Sequence, residues 1–278
     1  MSPQRVTMTP EEVGRFFDEK GDVLGDLLGG NIHFGYWLGP DDTSTFAEAG
    51  ERLTDHMIEI LAPRPGERIL DLGSGRGRPA IRLARAADVR IVGISISKRD
   101  VEVSTRLARS EGLADRVTFQ HADAMDLPFE PGSFDAVWAL ESLLHMPDRL
   151  HVLKNIATVL KPGGRLVLCD LSGVTPATEE ARDVLDAVLR DWAVESLIGV
   201  DDYAKLVTEA GLDLKRIIDV SERTRYSSTR AVRMFEETMK AQGISVESVD
   251  LPMDLMERSF AALEHMGYLI VSAERPPA

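Results

Sequence analysis

The stretch Arg68-Ile-Leu-Asp-Leu-Gly-Ser-Gly-Arg-Gly77 limits the fold of this chain more than any other. Ile69 to Leu72 read as a short buried strand, and Gly73, Gly75 and Gly77 follow at alternate positions. Ala80-Ile-Arg-Leu-Ala-Arg85 then has the small and apolar pattern of a helix. A strand that breaks into a glycine turn and re-enters as a helix lets bare backbone approach a ligand. It also aims the unpaired N–H groups and positive dipole end of the helix at that ligand. The spacing differs from the Gly-x-Gly-x-x-Gly of pyrophosphate sites. Asp71 stands two residues ahead of the first glycine, where a carboxylate suits a ligand's amino group better than a phosphate. A strand-to-helix turn that binds no nucleotide is the plainer alternative.

Beyond the glycine turn the chain keeps the same alternation. Strands are predicted over Val89–Ile94, Val117–Gln120, Phe134–Leu140 and Arg165–Asp170. Helices are predicted over Lys98–Ser110 and Leu150–Leu160, the second closed by Pro162-Gly-Gly164. Strands separated by helices form a parallel sheet covered on both faces, which binds ligands at its carboxyl edge. Asp71, Ser95, Asp123, Glu141 and Asp170 all fall at or just beyond a predicted strand end. After Asp170 the chain becomes more helical: Thr178–Leu197, Asp201–Gly211, Ser228–Gln242 and Asp254–Met266, with strands at Asp213–Val220 and Tyr268–Ala273. The segments 174–200 and 224–266 are not needed to complete the sheet and read as a helical cap over the strand ends.

Ahead of the sheet, Thr9-Pro-Glu-Glu12 reads as an N-cap, a proline in the first turn and acids near the positive helix end. Val13, Phe16 and Phe17 give that helix an apolar face, and a second short helix is expected over Val23–Leu28. Asn31-Ile-His-Phe-Gly-Tyr-Trp37 is too aromatic and glycine-broken for a regular element. It reads either as a loop whose rings close over a ligand or as a plug beneath the N-terminal helices. Thr43–Leu61 is an amphipathic helix stopped by Pro63 and Pro65. Three units are therefore expected: N-terminal helices and lid over 1–62, a binding core over 63–173, and cap insertions with the last strands over 174–278.

A net charge of −14 argues against general affinity for nucleic acid or anionic membrane. One cysteine, Cys169, excludes an internal disulfide framework and fits a cytoplasmic protein. There is neither an apolar run of bilayer length nor a basic-then-apolar leader. The expected partner is a small-molecule substrate, with a homo-oligomer compatible.

Three blocks together resemble class I S-adenosylmethionine-dependent methyltransferases: Leu70-Asp-Leu-Gly-Ser-Gly-Arg-Gly77, His121-Ala-Asp-Ala-Met-Asp-Leu-Pro-Phe129 and Leu160-Lys-Pro-Gly-Gly-Arg-Leu166. The chain is most similar to small-molecule enzymes of natural-product pathways, in particular the rebeccamycin-type sugar O-methyltransferases. They share His33-Phe-Gly-Tyr-Trp37, Gly93-Ile-Ser-Ile-Ser97 and Ala139-Leu-Glu-Ser-Leu-Leu-His-Met-Pro-Asp-Arg149. The resemblance covers most of Asn31–Asp170 and thins out in the cap. It implies a Rossmann-like α/β fold with a mostly parallel seven-stranded sheet, S-adenosylmethionine as cofactor, and O-methylation of a secondary metabolite.

By the same resemblance Trp37, Asp71, Gly73, Gly75, Gly77, Ser95, Ile96, Asp123, Ala124 and Leu140 bind the cofactor. Asp71 acts near the ammonium. Asp123 accepts the adenine amino hydrogen or serves only as a helix cap. Methyl transfer from a sulfonium needs no metal, but a hydroxyl acceptor needs a base. His145 is the expected base and Asp170 its orienter or a substrate ligand, or His145 is a structural histidine. Phe16, Phe17, Trp192 and Tyr226 are expected around the substrate.

Two departures matter. Ser95 stands where many relatives hold the ribose with an acid. Leu144 stands where the rebeccamycin-type enzymes carry the first of two histidines, leaving only His145. Glu141 occupies the place of the carboxylate used by terpene C-methyltransferases, so carbon or nitrogen methylation is an alternative. A pathway cyclase that keeps the nucleoside without consuming it is another.

Overall fold

The computed structural model describes residues 8–173, 178–227, 229–230, 233–234, 262 and 266–277. Among them, seven strands form one sheet in the order β3-β2-β1-β4-β5-β7-β6. These are β1 (Arg68–Leu72), β2 (Arg90–Ser95), β3 (Val117–His121), β4 (Phe134–Leu140), β5 (Leu160–Gly173), β6 (Asp213–Asp219) and β7 (Met266–Glu274). The first five run parallel. β7 runs antiparallel between β5 and β6. The strand order reverses between β1 and β4, the crevice where such sheets take a ligand. Arg68-Ile-Leu-Asp-Leu72 and Phe134–Leu140 are central strands. Their near-continuous burial, interrupted only at Arg68 and Asp135, is what a sheet covered on both faces requires.

Two cores cover those faces. On one, α2 (Phe46–Leu61) and α3 (Arg78–Ala86) bring Leu53, Met57, Leu61, Leu83 and Ala84 against Ile69 and Trp138. On the other, α5 (Arg149–Val159) and α7 (Val200–Glu209) pack Val152, Ile156, Tyr203 and Val207 on Leu70, Val137 and Leu168. α4 (Lys98–Ser110) follows β2, and α6 (Glu179–Asp191) comes between β5 and α7.

The N-terminal helix differs from expectation. α1 runs unbroken over Pro10–Leu27, capped by Thr9 and Glu12 in reciprocal hydrogen bonds. Its glycines allow close packing. A Cβ at Gly14 would stand 3.0 Å from the Ile96 carbonyl, at Gly21 3.3 Å from Asp100, and at Gly25 3.0 Å from the Arg76 side chain. Spaced by seven and four residues, they share one helix face. Each costs about 1 kcal/mol of helix propensity, offset by contacts only a bare backbone permits. α1 therefore lies across the glycine elbow and the β2–α4 loop. β5 also extends beyond Arg165–Asp170 at both ends, since β7 pairs with it as far as Gly173. The helices expected over Ser228–Gln242 and Asp254–Met266 fall largely outside the described residues.

Candidate active site

The elbow after β1 is fixed by backbone. Gly73 and Ser74 both donate to the Ile94 carbonyl, at 3.0 and 2.8 Å. Gly73 has φ +77° and leaves no room for a side chain, since a Cβ would stand 2.4 Å from that of Ser142. Gly77, at φ +83°, is the N-cap of α3. Gly75 faces open space within 4 Å, so its backbone is free to touch a ligand.

A narrow cleft opens here, lined by residues 30–33, the elbow, Pro79 and Leu140. Three buried polar atoms in this lining have no hydrogen-bond partner among the described residues: His33 Nε2, Asp71 Oδ2 and Ser74 Oγ. The hydroxyl of Ser142, against Gly73, is a fourth. Buried groups of this kind are normally satisfied. Such a set fits the polar amino-acid end of S-adenosylmethionine. Burial pushes the Asp71 carboxyl up to about 7, opposed by the indole of Trp138 on the paired strand. The cleft measures about 40 Å³, against several hundred for a typical ligand pocket. Beside it, α1 is tied down by Asp22, which accepts from Arg76 at 2.7 Å and Arg99 at 3.1 Å, and by Asp18, which accepts from the Ser97 hydroxyl at 2.6 Å.

The remaining expected cofactor residues line the same carboxyl edge. Ser95 accepts from the Ser97 N–H at 3.1 Å, and the Ile96 carbonyl lies under Gly14. Asp123 accepts from the Met125 N–H at 2.8 Å within a turn that leads into no helix, and Ala124 beside it is buried. Trp37 is a correction. Its ring is 1% exposed and packs edge-on to Phe46. Its indole N–H donates to Ser227 at 3.0 Å, so it is a plug rather than part of the cleft.

Glu141, just past β4, has φ +46°, a left-handed backbone that costs a non-glycine residue about 1–2 kcal/mol. Its Oε1 accepts from the Phe34 N–H and from the Tyr268 hydroxyl, both at 2.6 Å. It thereby joins the 31–37 loop to β7. Burial raises its pKa to about 7. His145 follows in a 3₁₀ turn, Leu143–His145. Its Nδ1 lies 2.7 Å from the Ala193 carbonyl. A carbonyl only accepts, so Nδ1 carries the hydrogen and Nε2 keeps its lone pair. Burial lowers its pKa to about 4, so the ring is neutral at physiological pH.

Asp170 is the second correction. It was expected to orient His145, but the Ala193 carbonyl occupies that position. Asp170 is 1% exposed and accepts from the Tyr203 hydroxyl at 2.5 Å. Burial pushes it up to about 7, with Arg149 opposing. Leu144 is buried in the core.

Of the aromatic residues expected at the substrate, Phe17 packs edge-on to His145 at 5.1 Å and to Phe16 at 5.1 Å. Trp192 meets Phe34 at 6.4 Å, and Phe34 stacks on Tyr268 at 5.9 Å. Tyr226 is a third correction: it packs with Trp37 and Phe46, away from His145. Phe235 and Phe260, further candidates for an apolar cap, lie outside the described residues. Tyr268 and Ala193 were not anticipated. A strand tyrosine and a carbonyl carry no local signal: pairing of β7 with β5 brings Tyr268 here, and the turn after α6 brings Ala193.

The methyltransferase domain family matches residues 70–168. The chain is 41% identical to the 27-O-demethylrifamycin SV methyltransferase of Amycolatopsis mediterranei (strain S699), over 96% of this chain and 98% of that one. It is 38% identical to the methyltransferase GfsG of Streptomyces halstedii, over 95% and 94%. Among solved structures it is similar to the 4+2 cyclase SpnF, with a TM-score of 0.82, 30% identity and 98% of each chain covered.

Proposed function

Since the chain belongs to the class I S-adenosylmethionine-dependent methyltransferases of natural-product metabolism, we propose that His145 is the base of an O-methylation. S-adenosylmethionine supplies a methyl carbon already activated by positive sulfur. The protein then has to contribute alignment, worth about 7–11 kcal/mol, and a proton acceptor, worth roughly 10²–10⁴-fold. Asp71, the elbow glycines, Ser95, Ile96, Asp123, Ala124 and Leu140 hold the cofactor along the carboxyl edge. His145 takes the hydroxyl proton at Nε2 while the Ala193 carbonyl holds the ring. Phe16, Phe17 and Trp192 form the apolar wall around the acceptor. Glu141 and Asp170 position neighbouring segments. Residues 1–62 act as the lid and 174–278 carry the cap.

One observation supports this reading: a neutral histidine in the turn after β4, its tautomer fixed by a 2.7 Å bond so that the lone pair lies on Nε2. The acceptor is a hydroxyl of a secondary metabolite. The relative named for 27-O-demethylrifamycin SV points to a complex scaffold, and a glycosyl hydroxyl is a narrower form. His145→Ala assayed with the true acceptor tests the role, and a rate near wild type removes His145 from the chemistry.

Leu144 in the expected histidine position, with the likeness to a cyclase, favours one second reading: cyclisation with the nucleoside retained. One S-adenosylhomocysteine formed per product excludes it, and product without S-adenosylhomocysteine overturns methyl transfer.

A further inference from the structure

His33 enters neither the fold's core packing nor the base chemistry of His145. It is 3% exposed, and its environment is built. Gly50 of α2 lets the ring lie against the helix, since a Cβ there would stand 3.3 Å from His33 Cε1. Nδ1 lies 2.8 Å from the Phe34 carbonyl. That carbonyl can only accept, so Nδ1 bears the hydrogen and Nε2 is a pure acceptor. Burial lowers the ring's pKa to about 4, so Nε2 is not protonated near neutrality. Nε2 is buried and has no partner among the described residues. Leaving such an atom unsatisfied destabilises the fold, and native folds rarely carry that cost without a reason.

The neighbours supply one. His33 lines the same cleft as Asp71, whose Oδ2 is also buried and unpartnered among the described residues. Two buried acceptors on residues lining one cleft, one of them a carboxylate beside the Trp138 indole, thus have hydrogen bonds left to accept. A ligand ammonium offers three hydrogens and a positive charge, and matches both at once. A ligand carboxylate would instead be repelled by Asp71 and would find no hydrogen on Nε2.

We propose that His33 Nε2, together with Asp71, receives the α-ammonium of the cofactor, making His33 a cofactor-binding residue of the lid loop. This rests on the reading that the cleft takes S-adenosylmethionine. It also couples cofactor capture to seating of the 31–37 loop, because the acceptor sits on the loop rather than on the sheet.

The experiment is a calorimetric cycle that measures binding without turnover. Wild type and His33→Phe, which keeps a buried ring, are titrated with S-adenosylhomocysteine. They are also titrated with its deaminated analogue, which keeps nucleoside, sulfur and carboxylate. The expected result is a loss of S-adenosylhomocysteine affinity on the order of tenfold to a hundredfold in the variant. The deaminated analogue should change by less than about twofold. Equal losses for both ligands overturn the proposal, since His33 then serves the ribose or merely shapes the loop, while the cofactor reading stands. If wild type takes up neither ligand, the cofactor reading itself is overturned. Should His33→Phe not fold, His33→Leu, which likewise removes the acceptor, is put through the same cycle under the same criterion.

Discussion

Replacing Glu141 by glutamine separates charge from geometry at the junction of loop and sheet. The amide oxygen of Glu141→Gln can still accept from the Phe34 N–H and the Tyr268 hydroxyl, which both reach Oε1 at 2.6 Å in the wild type. What it lacks is a proton to lose. Burial holds the folded-state pKa at about 7, against 4.5 for an unperturbed glutamate. Between those values the folded chain keeps a proton that the unfolded chain has released. Stability from this group is therefore fully present below pH 4.5 and is lost as pH rises through about 7. At roughly 1.4 kcal/mol per pH unit the interval sets an upper bound of about 3 kcal/mol. Glu141 is half-buried rather than sealed, which brings the expected value to about 2 kcal/mol. Urea unfolding of both proteins measures it. At about pH 4 the two should be equally stable within about 0.5 kcal/mol, and at about pH 8.5 the glutamine variant should exceed wild type by about 2 kcal/mol. Asp71 is also raised to about 7, but both proteins share it and the difference cancels it, while the charge of Asp170 is one cause of the Glu141 shift and enters the measured gap. A gap that does not change with pH would refute the argument, because ionising the carboxyl in its buried site would then carry no cost.

His145→Ala should lower turnover by roughly 10²–10⁴-fold while S-adenosylhomocysteine affinity, read by calorimetry, changes by less than about twofold. Gly73→Ala should abolish cofactor binding and lower stability by several kcal/mol, on the order of 2–4, because its Cβ would stand 2.4 Å from Ser142 Cβ at φ +77°. Gly75→Ala meets no atom within 4 Å but has φ +46°, so its cost should be limited to about 1–2 kcal/mol, measured in the same unfolding assay. Asp22→Asn weakens the ties from α1 to Arg76 and Arg99. It should leave the melting temperature nearly unchanged and speed cofactor association in stopped flow, and a slower rate would mean that these ion pairs do not hold the lid.

The sequence by itself determined the central sheet. Alternating apolar runs and amphipathic helices are local patterns, and Lys98–Ser110 and Phe134–Leu140 form as the periodicity requires. The glycine elbow was equally legible, because Gly73 and Gly77 are demanded by backbone angles and close approach at their own positions. Tertiary structure decided what depends on distant partners. Val23–Leu28 reads locally as a second helix, yet α1 is continuous, and its glycines let it lie on Ile96 and Arg76. Trp37 and Tyr226 looked like ring walls for a ligand, and packing turned them into core beside Phe46. His145 was legible as a candidate, but its tautomer is set by a carbonyl 48 residues away. The unsatisfied nitrogen of His33 likewise appears only once its loop is folded against α2 and the elbow. Residue type and spacing fix which groups can do chemistry, whereas hydrogen positions, burial and unpaired atoms are properties of neighbours that the fold alone brings together.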